Sequence, residues 1–278
     1  MLWLCIILGD LTLEYFQNEL LALLMQLEIN SKQSLIYVNL LHKLILSDCI
    51  VLNDCQYAIR LINRLKELDV DHIIDFQQVD LAIAWARQYH GAQKRKSGEL
   101  FYTHPLEVAY MVSKYLLTTD VIVTSILHDI VEDTEVTFGM ILDNFSKNIA
   151  YKVEGLTRVK IDRKIPAGET VNTLFFKHQK DVLYIKLFDR LHNMRTINYL
   201  SDEKKAKIVH ETILYFIPLA TYLEITEVRE EFKILCLAAE DKKQQCTFAP
   251  NRHKIKYRLS ALAPTFQNVI EQIYNLKE

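Results

Sequence analysis

Apolar residues recur at three- and four-residue intervals along nearly the whole chain, the spacing that places them on one face of a helix. Strand-like alternation is hard to find, and turn dipeptides are scarce. The expected architecture is all-α, in three zones. Residues 1–70 form an N-terminal extension, with amphipathic helices at 11–27, 35–46 and 57–68. Stripes such as Leu20, Leu23, Leu24 and Leu27 read as core or partner contacts. Residues 71–200 form the central helical unit. Residues 201–278 form a connector and tail: helices at 203–223 and 227–239, a polar break at 240–245, a basic segment at 251–258 and a last helix at 264–276.

Composition agrees with this reading. A chain of 278 residues has room for one sizeable core plus appendages, and six Gly and five Pro are few for that length. The net charge of −2 gives no global signal for nucleic-acid binding, so the basic stretch from Arg252 to Arg258 reads as an exposed helix face. Five cysteines with no short metal-type spacing read as ordinary thiols of a reducing compartment. The apolar run 1–8 is too short to span a bilayer and is followed at once by Asp10. The expectation is a cytoplasmic protein without a membrane partner. Oligomeric state is not legible.

The chemistry concentrates in Leu127-His-Asp-Ile-Val-Glu-Asp-Thr134. On a continuous helix His128 and Glu132, and Asp129 and Asp133, are i,i+4 pairs, so all four share one broad face of an otherwise apolar segment. Unpaired buried charges cost several kcal/mol each, and a bound cation is one way to neutralise them. The plainer alternative is a partly exposed helix with ordinary caps and salt bridges. Two further residues strengthen the metal reading. His104 precedes Pro105 at an expected helix start, and Asp189 lies on the apolar run 183–195. Two imidazoles and two carboxylates form a mixed nitrogen and oxygen set suited to a borderline divalent ion such as manganese. His42 and His72 have no partners in sequence and read as structural or exposed.

Arg95-Lys-Ser-Gly-Glu99, Thr103-His-Pro-Leu106, Leu127-His-Asp-Ile-Val-Glu-Asp-Thr134, Gly155-Leu-Thr157 and Asp189-Arg-Leu-His-Asn-Met-Arg-Thr196 stand in order over residues 79–200. Together they resemble the hydrolase domain of the RelA/SpoT alarmone enzymes, and the segment from His210-Glu-Thr212 to Glu230 resembles the connector that follows it. The resemblance implies an HD-domain helical bundle with extra helices at both ends. It implies that His104, His128, Asp129 and Asp189 hold Mn2+, and that Glu132 and Asp133 handle the attacking water and proton transfers. It further implies that Arg95, Lys96 and Asn193 contact the substrate. The implied reaction removes the 3′-pyrophosphate of guanosine tetra- or pentaphosphate, giving GDP or GTP and pyrophosphate.

Some positions depart from the family pattern. Leu100 stands where proline is usual, and Phe188 where a small residue is usual; both bear on packing. The segment between Thr157 and Asp181 is short, with Pro166-Ala-Gly168 breaking it, which bears on substrate affinity. The tail is too short for a nucleotidyltransferase domain, so no synthetase activity is expected. Two other readings stay open: an HD-type hydrolase of another nucleotide or phosphate ester, and a non-catalytic nucleotide-binding remnant.

Overall fold

The structure, a computed structural model, describes residues 55–157 and 165–244, with the side chains of the last helix described to Ala239. The helices expected at 11–27, 35–46 and 264–276, and the basic segment 251–258, lie outside the described residues. Among the described residues all regular structure is helical, apart from one isolated bridge between Lys94 and Leu100. The helices are α1 (Gln56–Leu68), α2 (Phe76–His90), α3 (Thr103–Val112), α4 (Thr119–Leu127), α5 (Ile130–Asp133), α6 (Phe138–Asn144) and α7 (Lys147–Leu156). There follow α8 (Ala167–Phe176), α9 (Lys180–Arg195), α10 (Asp202–Glu211), α11 (Ile217–Tyr222) and α12 (Thr226–Gln244).

Local chemistry sets several boundaries. The side chains of Asp75, Thr137 and Ser146 accept from backbone N–H groups in the first turns of α2, α6 and α7, satisfying donors the helix itself leaves orphaned. Gly91, at φ 47, ends α2 in a conformation that a Cβ disfavours. Pro105 falls in the first turn of α3, where its missing N–H costs nothing, and Pro166 caps α8 and so starts a helix.

Two helices position the site. In α4 every residue from Val121 to Leu127 is buried, and the helix is enclosed by α2, α3, α7 and α9. A seven-residue run that presents nothing to solvent belongs inside a core. Helix α9 crosses α3 and contacts α4, α7, α8, α11 and α12. Its apolar residues Val182, Leu183, Ile185, Leu187, Phe188, Leu191 and Met194 join Val108 and Val112 of α3 and Leu219 and Phe232 of the following helices in one cluster. Each such side chain contributes about 1.5–3 kcal/mol by leaving water. Phe188 is 2% exposed and stacks on Tyr115, so this departure from the family pattern is a packing feature.

Two expected elements differ in detail. The stretch expected as one helix over 203–223 is α10 and α11 joined by a π turn, Thr212–Phe216. Pro218 has no N–H to donate and its ring crowds the carbonyl four residues back, so a wider turn ahead of it relieves the clash. Helix α12 runs through 240–244, where a polar break was expected. Asp, Lys and Gln are compatible with a helix, and polarity alone does not stop one.

The π turn also places Tyr215 against Gly168 of α8, where an added Cβ would clash with three carbons of the Tyr215 ring. Gly168→Ala is expected to destabilise the protein by about 1–3 kcal/mol through overpacking. Chemical denaturation checks this, with most of the loss recovered in a Tyr215→Ala background; equal losses in both backgrounds would show the contact to be unimportant.

Candidate functional site

Helix α4 does not continue through the His-Asp pair. It ends at Leu127, and α5 begins at Ile130, so His128 and Asp129 form a turn between two helices. Asp129 sits at φ −101 and ψ −9, and its carbonyl accepts from the N–H groups of Glu132 and Asp133. The sequence pattern suggests one continuous helical face. In the structure the pair instead occupies a helix terminus, which turns both side chains toward α3 and α9.

There they meet His104 from the first turn of α3 and Asp189 from the middle of α9. One ligand-type atom from each of His104, His128 and Asp189 lies within 4.8 Å of the others. His104 Nε2 is 3.3 Å from Asp189 Oδ1 and 3.4 Å from Asp129 Oδ2, while His128 Nε2 is 3.0 Å from Asp129 Oδ1. The four residues singled out as ligands therefore stand together. His104 and His128 are buried, and the Asp129 side chain keeps 19% of its surface exposed.

The set fits a divalent cation on three observations. First, the Nδ1–H of His128 donates to the Ser125 carbonyl at 2.8 Å, which leaves Nε2 as the free face of the ring. Second, that Nε2 is buried without a hydrogen bond although Asp129 Oδ1 lies 3.0 Å away. Third, the field of the cluster calls for positive charge. Burial disfavours a charged His128, yet Asp129 and Asp189 outweigh it and push its pKa up to about 9. Burial works against ionised Asp129 and Asp189 too, but His128 beside Asp129, Lys186 beside Asp189, and His104 between them hold both carboxyls below the usual range. A divalent cation answers the same demand.

Around the cluster runs a polar shell that sequence reasoning only partly names. Lys186 Nζ donates to Asp189 Oδ2 at 2.8 Å, and Asn193 Nδ2 donates to Asp189 Oδ1 at 2.6 Å. Arg95 in turn donates to Asn193 Oδ1 at 2.8 Å. Asn193, expected at the substrate, thus bridges the basic loop to a candidate ligand. That loop is a tight turn, closed by Arg95 N–H to the Glu99 carbonyl and Phe101 N–H to the Gln93 carbonyl. Leu100, in place of the usual proline, pairs with Lys94 at its base.

A cavity of about 590 Å³ opens onto the cluster. Glu132 and Asp133 line it, as do Lys94, Arg95 and Lys96 of the turn and Lys204 and Lys207 of α10. Ligand-type and acidic side chains thus share one lining with cations, among them Lys186 and Arg190 as well as the basic turn and α10 lysines. His72 is exposed and is not among the residues that line this cavity, and His42 lies outside the described residues.

Sequence reasoning missed His90, His192, Lys186, Arg190 and Glu211. Arg190 and Glu211 pair at 2.8 Å in the cavity wall, with the guanidinium over the Phe216 ring. Lys186 carried a usable signal, being a cation three residues before Asp189 on an apolar helix. His192 faces His104, and burial, helped by His104 and Arg95, takes its pKa down to about 3. His90 is buried and stacked on Phe101, with burial lowering its pKa.

Among the described residues no helix is long and apolar enough to cross a membrane. A family model described as "HD domain" matches residues 82–226. The chain is 38% identical over 160 residues to the GTP pyrophosphokinase of Brucella ovis, covering 55% of this chain and 21% of that protein. It is 34% identical over 160 residues to the guanosine-3′,5′-bis(diphosphate) 3′-pyrophosphohydrolase of Aquifex aeolicus, covering 56% and 23%. The match to the GTP pyrophosphokinase of Myxococcus xanthus is 34% over 170 residues, covering 58% and 22%. The chain thus spans about a fifth of the length of these relatives. The matched region contains the whole His104, His128, Asp129 and Asp189 cluster, and the chain belongs to the HD-domain family, homologous across that region to the RelA/SpoT enzymes.

Proposed function

We propose that this chain is a manganese-dependent phosphohydrolase that removes the 3′-pyrophosphate of guanosine 3′,5′-bis(diphosphate) or its pentaphosphate homologue. The observation that carries the reading is the composition of one cavity lining. It joins His104, Asp129 and Asp189 of the buried nitrogen and carboxylate cluster, and the Glu132 and Asp133 carboxyls, to Lys94, Arg95, Lys96, Lys204 and Lys207. Its volume of about 590 Å³ falls within the range of small-molecule sites. The name of the Aquifex relative supports the choice of substrate. The unit we assign to this activity is 71–200, with 201–278 as connector and tail, and we assign no synthetic activity to it. A cytoplasmic location suits a nucleotide substrate.

In this reading His104, His128, Asp129 and Asp189 hold the ion. Manganese bound there would supply Lewis acidity and neutralise phosphate charge, letting a nucleophile approach phosphorus. The remaining work falls to side chains of the chain. Glu132, with Asp133 beside it, orients the attacking water and accepts its proton. The water oxygen bonds to the phosphorus attached to the 3′-oxygen, the phosphorus–O3′ bond breaks, and the leaving oxygen takes up a proton. The products are pyrophosphate and GDP or GTP. Arg95 and Lys96 attract the anionic substrate, Arg95 with a planar fork and Lys96 with a point charge. Asn193, anchored between Arg95 and Asp189, sets the distance from the basic turn to the cluster.

Two outcomes test this. Asp129→Ala is expected to abolish stoichiometric manganese binding and, with it, pyrophosphate release from guanosine tetraphosphate. Elemental analysis and a pyrophosphate assay read both; full manganese loading of the variant would remove Asp129 from the ligand set. Glu132→Gln is expected to keep the metal and lose about 10²–10⁴-fold in turnover, the usual worth of a positioned general base. Near-normal turnover would transfer that role to Asp133. A folded, manganese-loaded wild-type protein that releases no pyrophosphate would redirect the assignment to another phosphate ester.

A further inference from the structure

We propose that His192 is a positioning residue for cation binding, holding His104 in the tautomer that presents a lone pair at Nε2. The inference rests on the ligand role given to His104 above. It starts from a contact between two rings. His192 Nδ1 lies 2.9 Å from His104 Nδ1, with ring centroids 4.8 Å apart and planes tilted by 48°. Two ring nitrogens at hydrogen-bond distance share one proton, because two lone pairs repel each other and two N–H groups collide. One ring donates and the other accepts.

Which ring donates follows from the ligand role of His104, in which an ion takes the place of a proton between Nε2 and the carboxylates. Its Nε2 faces carboxylate oxygens of Asp129 and Asp189 at 3.4 and 3.3 Å, and its side chain is only 3% exposed. A ligand nitrogen commits its lone pair to the ion, so the single proton of a neutral His104 resides on Nδ1. His104 then donates to His192, and His192 accepts at Nδ1 with its own proton on Nε2. His128 reaches the same state by a different route, because Ser125 offers it a carbonyl that can only accept. The His104 partner is a ring able to play either role, and only one of its tautomers supports the ion.

The helix reinforces the arrangement. His192 follows Asp189 by three residues on α9, so one rigid element carries a ligand and the group that orients another ligand from α3. His192 does not line the cavity, which separates this role from contact with substrate.

The test uses the full chain with His192→Leu and His192→Asn. Leu fills the space without an acceptor; Asn places a side-chain amide near the position of Nδ1. Manganese affinity, followed by electron paramagnetic resonance of the free ion, is expected to fall about 10–100-fold in His192→Leu and to stay within about threefold of wild type in His192→Asn. In zinc-loaded wild-type protein, 15N NMR is expected to show His192 protonated at Nε2 and bare at Nδ1, a readout that needs no variant to fold. Unchanged affinity in a folded His192→Leu, or a proton on Nδ1 of His192 in the loaded protein, would overturn the inference while leaving the ligand set standing. A wild-type chain that binds neither manganese nor zinc would overturn both.

Discussion

Carboxylates and imidazoles crowded at the junction of α3, the α4–α5 turn and α9 impose the constraint around which the described helices are arranged. His104, His128, Asp129 and Asp189 cannot sit in an apolar interior without positive charge, since desolvation of even one unpaired carboxylate costs several kcal/mol. Lys186 supplies part of that charge to Asp189, and Asn193 adds a neutral donor. What remains is a strong preference for a proton or a cation at the histidines. The buried helix α4 carries His128 to this point, and burial of every residue from Val121 to Leu127 is the cost of passing through the core.

The surrounding polar groups form a chain and not a scatter. Arg95 in the turn holds Asn193, Asn193 holds Asp189, and Asp189 lies against His104, which meets His192. The basic turn is therefore tied through Arg95 and Asn193 to the inner cluster. Such connected networks fix geometry better than isolated pairs, because moving one member leaves others unsatisfied in a low-dielectric setting. In the reading proposed here, the distance between phosphate-attracting side chains and the hydrolytic centre is set by this chain.

Much of this was legible in sequence. Helical periodicity gave the all-α class, and the helix expected at 57–68 is α1, one residue longer at its start. The four candidate ligands were legible as ionisable residues on apolar segments and through the family resemblance, and the structure brings them together. The break after Leu127 was not legible, because every residue of 126–133 tolerates a helix and the turn is imposed by tertiary contacts. His192 was missed for a related reason. A histidine three residues after an aspartate is unremarkable until α3 brings His104 to it from far along the chain. The π turn left a faint trace in Pro218, and the Arg190–Glu211 pair left none, since their attraction depends on how α10 returns past α9.

Helix α9 has no exposed stripe through its middle. Its buried residues include Lys186, Asp189 and Arg190 as well as Val182, Leu183, Ile185, Leu187, Phe188, Leu191 and Met194. Most helices keep a wet stripe on which residues can be exchanged at little cost, and that stripe absorbs random change. From Val182 to Leu191 only Tyr184 is less than buried, so nearly every substitution there meets either the hydrophobic cluster or the charged centre. Among the described residues information density is therefore uneven, and in this helix altering one letter acts at once on the folded core and on the charged centre.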